Sequence, residues 1–403
     1  KKTKMPISGI TPRDSKITPP VYFSKISSSQ AQPSNNIFKA IKKFLSSEDI
    51  SAIIQIIHIL DADTSNLALE CAFQLLIFTN SLEPNEMTIR AWKLMMVFVG
   101  RYNNAIKDIE KDILKGYFIG IAGDEQNSIN KDIKVYAKIC LVRLLCTENL
   151  QIPAEQPTQK EIPLDEYIQK SMSLTQLVGV SLSEIFIKEE YKGIRSENYY
   201  KDNSNDHGFA KKTSESKQLL VPIILQKFIY RLIELDVNNH VGAFRLNGVV
   251  SDQIAGFNRI NNGDWEPPDS NNFATFTSML KSFTRRIQDA LIPRTLFLET
   301  WDKKNTADQI IERLNHLPNA TRDTLLFITG FFQYIAKNAD QNKMTPRNIA
   351  ISLGPSITRD PENMSDGDPI VLKNYAEECN KRNYFIQTMI DYWNTSTVYP
   401  FSK

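Results

Sequence analysis

Five polar side chains in the C-terminal half of the chain have the types and spacing to recognise an anion. Arg245 stands between Phe244 and Leu246 in a small apolar turn, VGAFRLNG, from Val241 to Gly248. Lys281 and Arg285 are four residues apart in MLKSFTRR, and Asn342 and Asn348 bracket NKMTPRN. A guanidinium is a permanently charged, planar fork of donors that matches phosphate and carboxylate oxygens. A lone arginine flanked by apolar residues simply snorkels to a wet surface, so the octapeptide gains weight only through the groups that join it.

Two helices supply those groups. Phe273, Phe276, Leu280, Phe283 and Ile287 recur at spacings of three and four, which predicts a helix with one buried stripe. Lys281 and Arg285 then share the opposite face, as they also would on a purely structural helix. In NKMTPRNIAISLGP, Thr345 is a suitable N-cap and Pro346 a suitable first helical residue. That places Asn348 in the first turn, and Gly354-Pro355 is expected to stop the helix. Turn and cap chemistry is the competing role for both asparagines.

Other chemistries find no residues to carry them. No GxxxxGK[ST] loop is present, and GIAG at Gly120 is not one, so the chain holds no nucleotide of its own. No Ser/His/Asp, Cys/His or metal-ligand set stands out. Cys71, Cys140, Cys146 and Cys379 lie far apart without zinc spacing and read as buried, reduced thiols. Neither metal nor cofactor is expected. A net charge of +2 gives no prior for nucleic acid. The longest apolar run, Leu94 to Val99, is far short of the ~20 residues a membrane helix needs. A cytoplasmic protein is expected, and Lys1 in place of methionine suggests a piece of something longer.

The 403 residues, 41% hydrophobic and 23% charged, are enough for two or three globular domains. Residues 1–14 read as a flexible segment, within a stretch rich in Pro, Ser, Thr and Lys that runs to about residue 35. From Asn36 to Cys146 the periodicity is helical throughout, in about six blocks: Ile37 to Leu45, Ile53 to Leu60, Leu67 to Phe78, Thr88 to Val99, Ile106 to Phe118 and Ile133 to Leu145. Lys107, Lys111 and Lys115 alternate with Asp108, Glu110 and Asp112 as a solvated helix face would. Residues 151–172 hold prolines and charges and read as an interdomain linker. Residues 189–218 are polar and nearly free of aliphatics, the composition of a surface insertion. The fold class is all-α, with two helical domains at 15–150 and 173–403.

The C-terminal half resembles RhoGAP domains, the activators of Rho-family GTPases, from VGVSLSEI (Val178 to Ile185) through VPIILQKFI, LKSFTRRIQDALIP and NKMTPRNIAISLGPSI to about Trp393. The resemblance implies that Arg245 is an arginine finger supplied in trans to a GTP-bound Rho-family GTPase. It also implies that Lys281 contacts the GTPase, Arg285 braces the finger loop, and Asn342 and Asn348 belong to the same surface. GTP and Mg²⁺ would belong to the partner, and the chain would be an activator and not itself an enzyme. The family usually reads EGIFR where this chain has VGAFR, so Val241 and Ala243 replace an acid and an isoleucine. Gln288 and Ala290 replace its usual prolines. The rival reading is a non-catalytic adaptor that binds a GTPase or a cytoskeletal partner.

The N-terminal half, from about residue 15 to 150, is similar to the myosin tail homology 4 domain in LALECAFQLLIFTNSLEPNEMTIRAWKLMMVFVGRYNN and KKFLSSED. That resemblance implies a helical module for a cytoskeletal or cargo partner, in an order similar to the Vilse-type GTPase activators. Trp92 within it is expected in the core.

Overall fold

The computed structural model describes residues 26–80, 85–123, 129–152, 162–195, 219–268, 270–358, 369–398 and 401. The expected flexible segment 1–14 and residues 196–218 of the expected insertion lie outside them. Two compact units divide between Gln176 and Leu177. Both are built from helices, as the periodicity predicts.

The first unit comprises α1 (Ala31–Ser47), α2 (Ile50–Ala62), α3 (Ser65–Thr79), α4 (Glu86–Tyr102), α5 (Asp108–Ala122), α6 (Lys131–Leu145) and α7 (Leu164–Met172). Helix α4 is its axis, buried almost without interruption from Ala91 to Tyr102 and packed against α1, α3, α6 and α7. Trp92 is fully buried and stacks on Tyr117 with 5.9 Å between ring centroids, a core position. Helix starts follow local capping chemistry. Asp49 accepts the Ser51 amide at 2.9 Å, and Asn85 that of Thr88 at 2.9 Å.

Helix α7 departs from the linker expected at 151–172. The Arg143 guanidinium is fully buried, and its Nη1 donates to the carbonyls of Met96 and Ser171, each at 2.9 Å. Tyr167 Oη donates to Leu150 O at 3.0 Å. These bonds fasten α7 to α4 and α6, because a buried guanidinium must satisfy its donors and finds its acceptors there.

The second unit comprises α8 (Leu182–Tyr191), α9 (Ile223–Glu234), α10 (Val250–Asn261), α11 (Phe273–Arg286), α12 (Arg294–Asp302), α13 (Ala307–Asn315), α14 (Asn319–Ala336), α15 (Ala339–Asn342), α16 (Pro346–Thr358) and α17 (Pro369–Tyr392). Helices α9 and α16 pack on the apolar stripe of α11, and α17 lies across α12, α13, α14 and α16. Phe401 closes the far end. It packs against Phe327 and Phe331, and a Cβ on Gly330 would meet its ring at 2.6 Å.

Two local expectations fail here for identifiable reasons. Helix α16 does not stop at Gly354-Pro355 but runs on to Thr358. Pro355 forfeits one backbone bond in its tenth position, while Gly354 serves close packing. A Cβ there would sit 3.1 Å from Ile386 Cδ1 of α17. The polar segment expected at 189–218 does not begin on the surface either. Glu189 is fully buried, takes the Ile223 amide at 2.7 Å and is paired with Arg195, which also donates to Val221 O at 2.8 Å. Burial raises the Glu189 carboxyl above its ordinary range although Arg195 pulls the other way. This latch joins the chain on both sides of residues 196–218.

Candidate functional site

The turn after α9 carries the arginine. Gly242 (φ 68) and Phe244 (φ 73) both occupy left-handed backbone, which glycine adopts freely and a bulky aromatic does not. An outlier of that kind costs about 1–3 kcal/mol and persists only where its surroundings enforce it. Here they do. The Phe244 ring is buried edge-on to Phe331 at 6.2 Å, and the Phe244 carbonyl accepts the Lys281 ammonium at 2.9 Å.

Three anchors hold the loop. At its start the Gly242 amide donates to Asn342 O at 2.8 Å. Phe244 is the middle anchor. At its end the Gly248 amide donates to Ser278 Oγ at 2.8 Å, and a Cβ on Gly248 would come within 2.3 Å of Thr275 Cα. Arg245, Leu246 and Asn247 between the last two anchors are exposed. A hydrogen-bonded base thus presents a short tip with a guanidinium on it.

The structure brings all five sequence-predicted residues to this region and separates their tasks. Asn342 is fully buried. Its Nδ2 donates to Asn238 O and Ile335 O, each at 2.8 Å, and its Oδ1 accepts the Met344 amide at 2.7 Å. Every polar atom of that side chain is committed to the fold, so it supports the loop from behind. Asn348 is partly exposed, and its Nδ2 donates to Lys343 O at 2.8 Å. Lys343 O also receives Arg245 Nη2, at a long 3.5 Å. On α11 the bond to the loop is made by Lys281 and not by Arg285. Lys281 braces the loop, whereas Arg285 is exposed and makes no side-chain hydrogen bond among the described residues. Burial, with Arg285 nearby, holds the Lys281 ammonium below its ordinary pKa.

Lys343 was invisible to sequence reading because its contribution is a carbonyl. Its left-handed backbone (φ 60) turns that oxygen toward Arg245 and Asn348. Phe244 likewise acts through its carbonyl and its strain. The loop and the residues that follow it carry exposed aliphatic side chains: Val241 at 67% and Leu246 at 61% exposure, then Val249 and Val250. Aliphatics gathered at one exposed place mark a contact surface.

Comparison with known proteins speaks to the same segment. Residues 222–362 match the family model described as RhoGAP domain. The chain carries a RhoGAP domain. All five predicted site residues fall within it, and its matched span is narrower than the resemblance read from Val178 to Trp393. GTPase activating protein homolog 3 of Dictyostelium discoideum is 30% identical over 177 residues, 43% of this chain and 13% of that protein. Rho GTPase-activating protein 21 of Mus musculus is 36% identical over 92 residues, 21% of this chain and 5% of that protein. Rho GTPase-activating protein 4 of Homo sapiens is 27% identical over 192 residues, 45% of this chain and 19% of that protein. The chain therefore spans less than a fifth of these relatives' length. The solved structure of human Rho GTPase activating protein 15 aligns with 57% of this chain and 96% of its own at a TM-score of 0.42 and 17% identity. Among the described residues, no His/Cys/Asp/Glu group is arranged to hold a metal ion, and no helix is long and apolar enough to cross a membrane.

Proposed function

We propose that this chain accelerates GTP hydrolysis by a Rho-family small GTPase, with Arg245 inserted in trans as the arginine finger. The observation that carries the reading is the exposed Arg245 tip on a loop held at Gly242, Phe244 and Gly248, inside a RhoGAP domain. Hydrolysis spreads negative charge over the transferring phosphoryl group and the leaving oxygen. A guanidinium brought into that site stabilises the charge and displaces water. A braced loop pays little reorganisation when it does so. Such a finger is worth roughly 10³ to 10⁵ in rate, about 4 to 7 kcal/mol. The nucleotide and its Mg²⁺ are the partner's, and this chain contributes positioning and charge.

The same reading assigns roles to its other residues. Lys281 and Asn342 hold the loop, while Arg285, Asn348 and the exposed aliphatics face the GTPase. The helical first unit, similar in sequence to a myosin tail homology 4 domain, suits a cytoskeletal or cargo partner in the cell cortex.

The test is single-turnover GTP hydrolysis by purified Rho, Rac and Ras GTPases with the wild-type chain, Arg245→Ala and Arg245→Lys. Acceleration of at least one Rho-family member is expected, lost about 100-fold or more in Arg245→Ala with binding largely kept. Lysine should restore little, since it lacks the planar fork. Equal rates with wild type and Arg245→Ala would leave a binding adaptor in place of an activator.

A further inference from the structure

Charge pairing in the second unit is uneven. Arg195, Arg231, Arg259, Arg294, Arg313 and Arg322 each form a salt bridge. Arg245, Arg285 and Arg347 form no salt bridge among the described residues. Two of these belong to the finger region already described. The third stands beside it, next in sequence to Asn348, whose amide meets the same Lys343 carbonyl as Arg245. Lys281 and Lys343 add two more cations without a carboxylate.

Arg347 is placed against its local electrostatics. It lies exposed in the first turn of α16, where the helix macrodipole is positive and no acidic residue offsets it. One turn further on the same face lies Ile351, 49% exposed. A cation at a helix start, without an ion pair and beside an exposed aliphatic, has the composition of a contact awaiting an anionic partner.

We propose that Arg347 is a specificity-determining residue that docks an acidic side chain of the GTPase, with Ile351 packing beside that contact. The inference rests on the function proposed above and adds the chemistry of the partner's surface: carboxylates flanked by apolar groups opposite the start of α16. Arg347 acts on encounter and affinity, whereas Arg245 acts on the chemical step. An exposed charge pair of this kind changes the association rate and its salt dependence more than it changes turnover.

The experiment measures GTPase activation over a range of GTPase concentrations at about 50 and about 300 mM salt. The chains compared are wild type, Arg347→Ala, Arg347→Glu, Arg347→Lys and Arg245→Ala. Arg347→Ala should raise KM about tenfold at low salt with kcat unchanged, and Arg347→Glu should raise it further. The difference should shrink at high salt, and Arg347→Lys should recover most of the loss. Arg245→Ala should instead lose kcat. Activation by wild type with KM indifferent to Arg347→Ala and Arg347→Glu overturns this inference alone. A wild-type chain that activates no GTPase overturns the functional reading and this inference with it.

Discussion

Lys281 Nζ donates to the Phe244 carbonyl at 2.9 Å, one residue before the arginine at the loop tip. The bond spans from α11 to a backbone held in left-handed conformation, so the ammonium enforces the strain that aims the tip. A hydrogen bond to a charged group contributes about 1.5–3 kcal/mol. If Lys281→Met frees the loop to relax, kcat for activation should fall by roughly 10- to 100-fold. Circular dichroism should show an unchanged helical content. A Lys281→Met chain with wild-type kcat would show that the bond does not set the finger.

Asn342 and Asn348 should separate cleanly. Asn342→Ala removes three hydrogen bonds and leaves the Asn238 carbonyl and the Met344 amide without this partner, while the Ile335 carbonyl keeps the Asn338 amide, a loss of about 2–4 kcal/mol. For a domain of this size that corresponds to a fall in Tm of about 4–16 °C. Asn348→Ala should leave Tm within about 2 °C, because one partly exposed bond to Lys343 is replaced by water. Its effect belongs in the activation assay, as weaker GTPase binding. Thermal unfolding of the two variants side by side checks both statements, and equal losses of Tm would refute the division of labour.

Gly248→Ala places a methyl group 2.3 Å from Thr275 Cα, an atom of helix backbone that cannot rotate away. Either the loop or α11 must shift, which disrupts the Gly248–Ser278 bond. A destabilisation of about 2–4 kcal/mol is expected, with most of the activation lost because the finger base moves. Gly116→Ala is the control, since nothing lies within 4 Å of its added Cβ. That change should hold or slightly raise stability, as alanine favours helix more than glycine by about 1 kcal/mol. Calorimetry that found the two variants alike would contradict the packing at Gly248.

Much of this was legible in residue spacing because helices announce their buried stripe. Apolar residues at three and four, from Ile37 to Leu45 and from Phe273 to Ile287, locate α1 and α11 within a few residues. The arginine and the two residues of α11 were equally readable, since side-chain type marks them. What escaped was whatever depends on a tertiary acceptor. Arg143 stands in the last turn of α6, where nothing in its spacing marks it, yet the Met96 and Ser171 carbonyls hold it in the core and carry α7 with it. Glu189 looks like the start of a polar surface but is the latch for Arg195 and Ile223. Lys343 works through a carbonyl that any residue would possess, so no letter in the sequence marks it. The bond from Lys281 to the loop has the same origin: Lys281 and Arg285 lie four apart on α11, and only the position of the Phe244 oxygen decides which one reaches it.

Asp49 makes the start of α2 sensitive to acid. Its carboxylate is 2.7 Å from Lys43 Nζ and caps the Ser51 amide, and hydrogen bonding to Lys43 and Ser51 lowers its pKa from 3.8 to about 2. A folded-state value below the unfolded one means that the ionised form is favoured by folding. The contribution is present above pH 3.8 and is lost as the pH falls toward about 2. Asp49→Asn keeps a competent cap without the charge, so it should remove the acid dependence while the Ser51 amide stays protected. Amide hydrogen exchange at Ser51 between pH 5 and 2, corrected for intrinsic rates, should show protection falling in wild type and level in Asp49→Asn. Parallel pH profiles in the two chains would mean that another carboxylate controls the acid fraying of α2.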